Sequence, residues 1–555
     1  MAMAFNDYFS TIGSKLAENM PNDKSFKNYL NSKFEHNLFL KPASADEVRK
    51  LLRDLNPNKS CGHDNVSPKL LKQNADTLTD IFTHIINVSF ANGKFPEQLK
   101  LAKVIPIFKK DETYLTSNYR PISLLSMLSK ILEKVVHLRL MSFLNKYKLL
   151  YCYQFGFRQK YSTILALIET VDNIQQDLEN GYYVGGIYLD LSKAFDTVDH
   201  SILLDKLYNY GIRGHALSWF HSYLYNRKQF TVVNGAKSDV KTVTYGVPQG
   251  SFLGPLLFLI YTNDLVNSIN PCNKLRLFAD DSNVFITKSS PQELKSEMKS
   301  TLLNLFQWFK ANKLSVNLRK TSYTIFANKS RKVPDLLNSI TVNNIAIKRV
   351  SSAKYLGVTL DEKLKWDDHI TSLQKTLMRT TNSFKIIKHY IPEKNKILLF
   401  NAYISSKIQY GIKLYGRANP TLLNKIQIRQ NRALKVLYNK DFLTPTNVLH
   451  SNLQILKVDD QYKLNVLKFV YKQQNNLLPE IFGNQFVHNH NIHCHNTRQS
   501  KKLHLYQHHT THGTNKISYQ GPKLWNSIPT EIQGSSSLKV FSKNVKNLVL
   551  KSYSS

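Results

Sequence analysis

A chain of 555 residues is longer than one ordinary hydrophobic core can serve, so about three or four packing units are expected. Its 75 Lys and Arg against 39 Asp and Glu give a formal charge of +36, spread along the whole length, which favours a polyanionic partner, nucleic acid before an anionic membrane. Only Cys61, Cys152, Cys272 and Cys494 occur, with no CxxC pair, and no secretory signal or membrane-length apolar run is present, so a disulfide framework is excluded and a soluble, intracellular chain with no membrane partner is expected.

In chain order, residues 1 to about 60 read as helical. "SADEVRKLLRDL" opens on a capping signal and keeps apolar residues at helical spacing. "NPNKSCGHDNVSP" breaks the pattern with turn formers, residues 68 to 98 are helical again, and "LAKVIPIFKKDE" reads as a strand leading into a basic turn. "SNYRPISLLSMLSKILEKVVHLRLMSFL" starts as a strand and becomes a long amphipathic helix. "YYVGGIYLDLS" is a buried strand by its apolar run, and "QFTVVNGAKSDVKTVTYG" is a hairpin with Asn234-Gly235 at its turn. "SPQELKSEMKSTLLNLFQWFKANKL" is a helix, "SYTIFA", "ITVNNIAIKRV" and "KYLGVTLD" are strands, and from about residue 367 the chain is mostly helical and basic. Mixed strands and helices followed by a helical region argue for an α+β core with an appended helical module. No internal repeat is visible. The His-rich stretch "HNHNIHCHNTRQSKKLHLYQHH" lacks the ligand spacing of a zinc site and reads as a polar, basic loop.

Three constellations carry chemistry. "LRLFADDSNVFIT" sets Asp280 and Asp281 side by side between two strands, and two ionised carboxylates held at one turn repel unless a cation joins them. Alone, this pair is no more than an exposed hairpin turn. Asp190 ends the apolar strand of "GGIYLDLSKAFDTVDH", where a charge is costly unless paired or metal-bound. Asp196 and Asp199 follow at a turn entering a helix, where capping suffices for both. Should the strand ending in Asp190 lie beside the Asp280-Asp281 turn, three carboxylates converge in a way that suits two Mg²⁺ ions. In "TYGVPQGSFLGPLLFLIYTNDL", Gly246, Pro248 and Gly250 make a constrained loop before an apolar helix, a place where backbone approaches a ligand closely and where Gln249 is a candidate nucleotide contact.

Taken together and in order, "NYRPISL", "QFGFR", "YLDLSKAFDTVDH", "GVPQGSFLGPLLF", "FADD" and "KYLGVTLD" resemble the reverse transcriptase of non-LTR retrotransposons of the LINE or jockey-like type, clearly over residues 60 to 365 and more weakly to "LWNSIPTEI". The resemblance implies an RNA-directed DNA polymerase with a right-hand fold: α+β fingers and palm, a helical thumb and a basic C-terminal region. It places an N-terminal helical extension at 1–60, fingers and palm at 61–365, the thumb at 366–440 and a His-rich C-terminal region at 441–555. It implies that Asp190, Asp280 and Asp281 hold two Mg²⁺ ions while a primer 3′-hydroxyl attacks a dNTP on an RNA template, the primer being DNA or nicked target DNA. Phe278 stands where many relatives carry Tyr.

By the same resemblance Phe195 lies under the sugar and disfavours a 2′-hydroxyl, Arg120 and Lys109 contact the triphosphate, Gln249 and Gly250 form the nucleotide pocket, and Lys320 protonates the departing pyrophosphate. Sequence does not separate Lys109 from Lys110. "KYLGVTLD" resembles the primer-grip hairpin, and the basic helices after it would track template and primer phosphates. Trp366 and Trp525 are expected in the core before any stacking on nucleic acid. No endonuclease or ribonuclease H constellation is recognised, so the chain reads as a polymerase portion or a reading frame truncated at its start. Insertion chemistry of this type belongs in the nucleus, particle assembly in the cytoplasm. The rival reading is a catalytically silent RNA-binding remnant or a co-opted element protein.

Overall fold

The computed structural model describes all residues except 19, 21–22, 329–330, 493–498 and 555. The centre of the His-rich stretch, with Cys494, lies outside the described residues. In chain order the elements that matter below are helices α1 (Ala2–Ala17), α2 (Ala45–Arg53), α3 (Pro68–Gln73) and α4 (Ala75–Ala91), strands β1 (Leu101–Phe108) and β2 (Tyr119–Leu124), helices α5 (Met127–Lys146) and α6 (Thr163–Glu179), and strand β3 (Tyr183–Leu189). Then come α7 (His200–Asn209), α8 (Gly214–Leu224), β4 (Arg227–Val233), β5 (Ala236–Lys237), β6 (Lys241–Val243), α9 (Leu253–Thr262), β7 (Lys274–Phe278), β8 (Asp281–Lys288) and α10 (Pro291–Ala311). Strands β9 (Ser322–Phe326), β10 (Ile340–Val342), β11 (Ile345–Arg349), β12 (Ser352–Tyr355) and β13 (Val358–Asp361) precede α11 (Asp367–Ile387). Beyond α11 the regular structure is helical, with long members at Pro420–Leu437, Val458–Gln474 and Leu538–Ser554.

Two compact units result. One gathers residues 1–157, 189–282 and 299–321, the other residues 158–188, 283–298 and 322–555. In the first, β1 pairs antiparallel with β2 and parallel with β4, and β4 pairs antiparallel with both β5 and β6. The expected hairpin turn forms with Asn234 at φ 49° and Gly235 at φ 84°, the doubly positive backbone that an Asn-Gly pair tolerates. Helix α1 packs on this sheet: Phe5 and Phe9 bury against Val104, and the fully buried Asn6 donates to Asp239 O while accepting from Gln229 and Thr231. The capping signal at α2 is realised, since Ser44 Oγ accepts from the Glu47 N–H. The Glu47 side chain turns to Arg139 on α5, at 2.9 Å. Residues 30–44 are not helical, contrary to the expectation for the first sixty; Lys41-Pro42 contributes two carbonyls to Arg139, and such an extended run has no helical ladder to lose.

The second unit holds a sheet in the order β10–β11–β9–β3–β8, with β3 antiparallel to β9 and β11 parallel to it. Strands β12 and β13 form the hairpin read in "KYLGVTLD". Trp366 is buried at 3% exposure, its backbone N–H donating to the Asp361 carboxylate, and Trp525 stacks on Phe541, so both rings belong to the core. The C-terminal segment is fastened to α6 by two acids acting as remote helix caps. Asp172 accepts from the N–H groups of Ile517 and Ser518, and Glu179 accepts from those of His509 and Gly513. The described part of the His-rich stretch is a loop whose rings bond locally, His488 with Gln474 and His504 with Asn489. Among the described residues no helix is long and apolar enough to cross a membrane.

Candidate active site

A cleft of about 460 Å³ in the first unit gathers Lys109, Arg120, Asp190, Phe195, Gln249, Asp280 and Lys320. Each arrives by a local route. Asp190 follows the buried strand β3, and its carbonyl accepts the Asn317 N–H at 2.7 Å. That bond, the Leu191–Val316 bridge and the tight turn over Asn317–Thr321 bring Lys320 Nζ to 3.3 Å from Asp190 Oδ2. Asp280 and Asp281 sit where β7 ends and β8 begins, after Ala279 at φ 56°. The "QFGFR" segment explains itself here, because it fastens that turn. Phe155 N–H donates to Leu277 O, Gln154 Oε1 accepts from Ala279 N–H, and a Cβ on Gly156 would lie 2.4 Å from Ala279 N.

The cleft carries charges of both signs. Asp281 is exposed at its surface, yet loss of water beside the cleft wall, with the charges of Asp280 and Asp190, pushes its carboxyl up to about 6 against a smaller pull from Lys109. Lys109 is pushed down, first by burial and then by Arg120 and Lys320, and is held up in part by Asp190 and Asp280. Both lysines line the cleft; Lys109 is the one acted on by Asp190 and Asp280, and Lys110 lies 3.6 Å from its neighbour Asp111. Among the described residues no group of three or more His, Cys, Asp or Glu side chains is set closely enough to hold a metal ion as it stands. Asp190 is balanced by the Lys320 ammonium instead.

The loop before α9 is fixed to protein backbone on two sides. A Cβ on Gly246 would meet Asp196 Cα at 2.8 Å, and one on Gly250, at φ 134°, would meet Ser123 O at 2.4 Å. At both glycines the missing side chain lets chain approach chain closely. Ser123 N–H donates to Gln249 O, and Phe252 N–H at the entry to α9 donates to Glu133. Glu133, fully buried on α5, already fills the N-terminal end of that helix, and burial raises its pKa despite Arg227 nearby. Phe195 packs its ring on Phe258 at 4.7 Å between centroids and its carbonyl accepts from Val247 N–H.

Asp199 caps α7 as expected, accepting from Ser201 and Ile202 N–H, and pairs with Lys313 at 2.9 Å. Asp196 does not cap. Its Oδ1 accepts from Gln249 Nε2 at 2.8 Å, its Oδ2 is buried without a partner, and burial pushes the carboxyl up to about 6. The capping expectation fails because the residue turns inward to a loop some fifty positions away, a partner no local pattern announces.

Sequence reasoning also missed Lys193 and helix α1. Lys193 Nζ donates to the carbonyls of Ser117 and Tyr119, both at 3.0 Å, and stands 5.4 Å from the centre of the Tyr8 ring. Tyr8, Ile12 and Leu16 form one wall of the cleft. Only the apolar spacing of Phe5, Phe9, Ile12 and Leu16 hinted that this helix covers something.

Comparison with known proteins agrees with the motifs. Residues 107–360 match the family described as reverse transcriptase (RNA-dependent DNA polymerase). The chain is 29% identical over 469 residues to the RNA-directed DNA polymerase from mobile element jockey of Drosophila melanogaster, covering 82% of this chain and 50% of that protein. The jockey polymerase of Drosophila funebris is 30% identical over 446 residues, 78% of this chain and 48% of the relative. The probable RNA-directed DNA polymerase from transposon BS of Drosophila melanogaster is 28% identical over 505 residues, 82% of this chain and 54% of the relative. The chain thus spans about half the length of these curated relatives.

Proposed function

From a reverse transcriptase domain over residues 107–360 in a chain similar to LINE-type polymerases, we propose that the protein is an RNA-directed DNA polymerase of a non-LTR retrotransposon, extending a primer 3′-hydroxyl with dNTPs along an RNA template. The observation that carries this reading is the cleft that Asp190 and Asp280 line together with Lys109, Arg120 and Lys320, with Asp281 next in the chain and close enough to be acted on by both acids. Enzymes of this family use divalent metal ions, and an all-oxygen carboxylate set suits Mg²⁺, two ions in this reading. When bound, such ions lower the charge barrier to attack at the α-phosphate and stabilise the leaving pyrophosphate.

The chain's own residues would share the work. Asp190 would give up Lys320 to receive the cation and, with Asp280 and Asp281, turn inward; for exposed side chains that costs about 1 kcal/mol of rotamer freedom each. Lys109 and Arg120 would grip the triphosphate, Arg120 by paired charge-assisted bonds. Phe195, its ring fixed on Phe258, would set the floor under the sugar, with Gln249 and Gly250 beside it. Lys320, released from Asp190, would be placed to give a proton to pyrophosphate. Fingers and palm would lie in 61–365 and the thumb in 366–440, its basic helices following the nucleic-acid backbone with β12–β13 near the primer end. The 1–60 and 441–555 segments complete that division. RNA template and nucleic-acid primer are the partners, and the nucleus is where the insertion step would take place.

The test is primer extension on an RNA template with Mg²⁺ and labelled dNTPs. Asp281→Asn should abolish extension and leave RNA binding largely intact. Retained extension by that variant overturns the catalytic assignment, and RNA binding without extension in the unaltered protein would favour a silent remnant.

A further inference from the structure

We propose that Asp196 is the positioning residue that fixes the side-chain amide of Gln249, so that its carbonyl oxygen faces the nucleotide pocket as an acceptor for a sugar hydroxyl. The inference rests on the polymerase reading of the same cleft. An amide has one donating and one accepting end, whereas an ionised carboxylate only accepts. The 2.8 Å bond from Gln249 Nε2 to Asp196 Oδ1 therefore decides which way the amide points, leaving Oε1 as the group that Gln249 can offer the cleft it lines.

The backbone that carries the carboxylate is closely enclosed. Gly13 of α1 and Gly246 of the pocket loop abut its main chain so closely that an added Cβ would lie 2.3 Å from Asp196 O and 2.8 Å from Asp196 Cα. Its Oδ2 is enclosed without a hydrogen bond, a cost the fold does not remove although an Asn would avoid the charge. Gln249 is held from its other end too, since its carbonyl accepts from Ser123 N–H at 2.8 Å. A fixed acceptor discriminates between a triphosphate oxygen, which also only accepts, and a sugar hydroxyl, which donates. Without Asp196 the amide is free to turn over and present its NH₂ end to the phosphates.

The experiment compares a dNTP with its 2′,3′-dideoxy analogue, by equilibrium binding to the protein on template–primer and by single-nucleotide incorporation. The unaltered protein should favour the deoxynucleotide. Asp196→Asn, whose own amide can meet either end of Gln249, should lose about tenfold of that preference, mostly in KM for the deoxynucleotide, with kcat less affected. In a Gln249→Leu background Asp196→Asn should cost nothing more. An unchanged preference in Asp196→Asn, or a further loss in the Gln249→Leu background, overturns the inference, the latter by showing a structural role alone. If the unaltered protein fails to extend primers but its binding preference still depends on Asp196 through Gln249, the polymerase reading falls and the positioning role stands.

Discussion

Two sets of carboxylates in the first unit are treated in opposite ways. Asp264 and Asp199 are buried and each has its own lysine: Lys206 Nζ lies 2.6 Å from Asp264, both side chains at 1% exposure or less, and Lys313 lies 2.9 Å from Asp199. Asp190 and Asp280 line the open cleft with Asp281 next in the chain, and the ion pair found there is that of Lys320 with Asp190. The first set is neutralised pair by pair and fastens helices; Lys206 also reaches the Tyr261 carbonyl of α9. The second is not paired off acid by acid, and loss of water, followed by the charges of Asp280 and Asp190, raises the Asp281 carboxyl. Asp199 and Asp264 are tied to one lysine each and work as fasteners, whereas the cleft acids share their surroundings with several bases and keep solvent-facing oxygens, which is the place a cation would take in the polymerase reading.

Breaking each set should therefore give different signatures. The largest effect is expected at the cleft: Asp190→Asn should cut primer extension by about a thousandfold or more, while thermal melting shows stability unchanged or slightly raised as repulsion is relieved. In the neutralised set, Lys206→Met should leave Asp264 charged and buried and cost about 3–5 kcal/mol in denaturant unfolding, and adding Asp264→Leu should restore much of it. Lys320→Gln sharpens the contrast, because its pair with Asp190 is half-exposed, so unfolding should change by less than about 1 kcal/mol while extension slows. A smaller effect belongs to pH. Burial pushes His369 from 6.5 down to about 4, so the unfolded chain binds a proton in that window that the folded chain refuses. Stability should then fall as pH drops from 6.5 toward 4, by up to one proton's worth from this residue, and His369→Gln should flatten that slope.

Local grammar was legible and distant pairing was not. Ser44 before α2, Asp199 before α7 and the Asn234-Gly235 turn act through neighbours within four residues, so their roles could be read directly. The strand ending in Asp190 and the turn carrying Asp280 could be placed as elements, and the motif order suggested that they meet. Asp196 looked like a second cap because its sequence neighbourhood resembles that of Asp199; only the fold brings Gln249 to it. Glu133 carried a faint signal, an acid between Leu132 and Val135 on an otherwise apolar helix face, but its partner Phe252 N–H is more than a hundred residues away. Lys109 and Lys110 both line the cleft, although alternation along a strand would send neighbouring side chains to opposite faces.

Helix α1 bears on how the protein can be divided for study. The matched residues begin at 107, yet Tyr8, Ile12 and Leu16 wall the cleft and Gly13 shields the Asp196 main chain. A fragment trimmed to the matched stretch would uncover Tyr119 and Val233, remove one wall of the cleft, and report the behaviour of a different site. The smallest piece worth expressing carries residues 2–17 with it, and a protease cut between α1 and β1 offers a gentle way to learn whether that wall stays in place once it is no longer tethered.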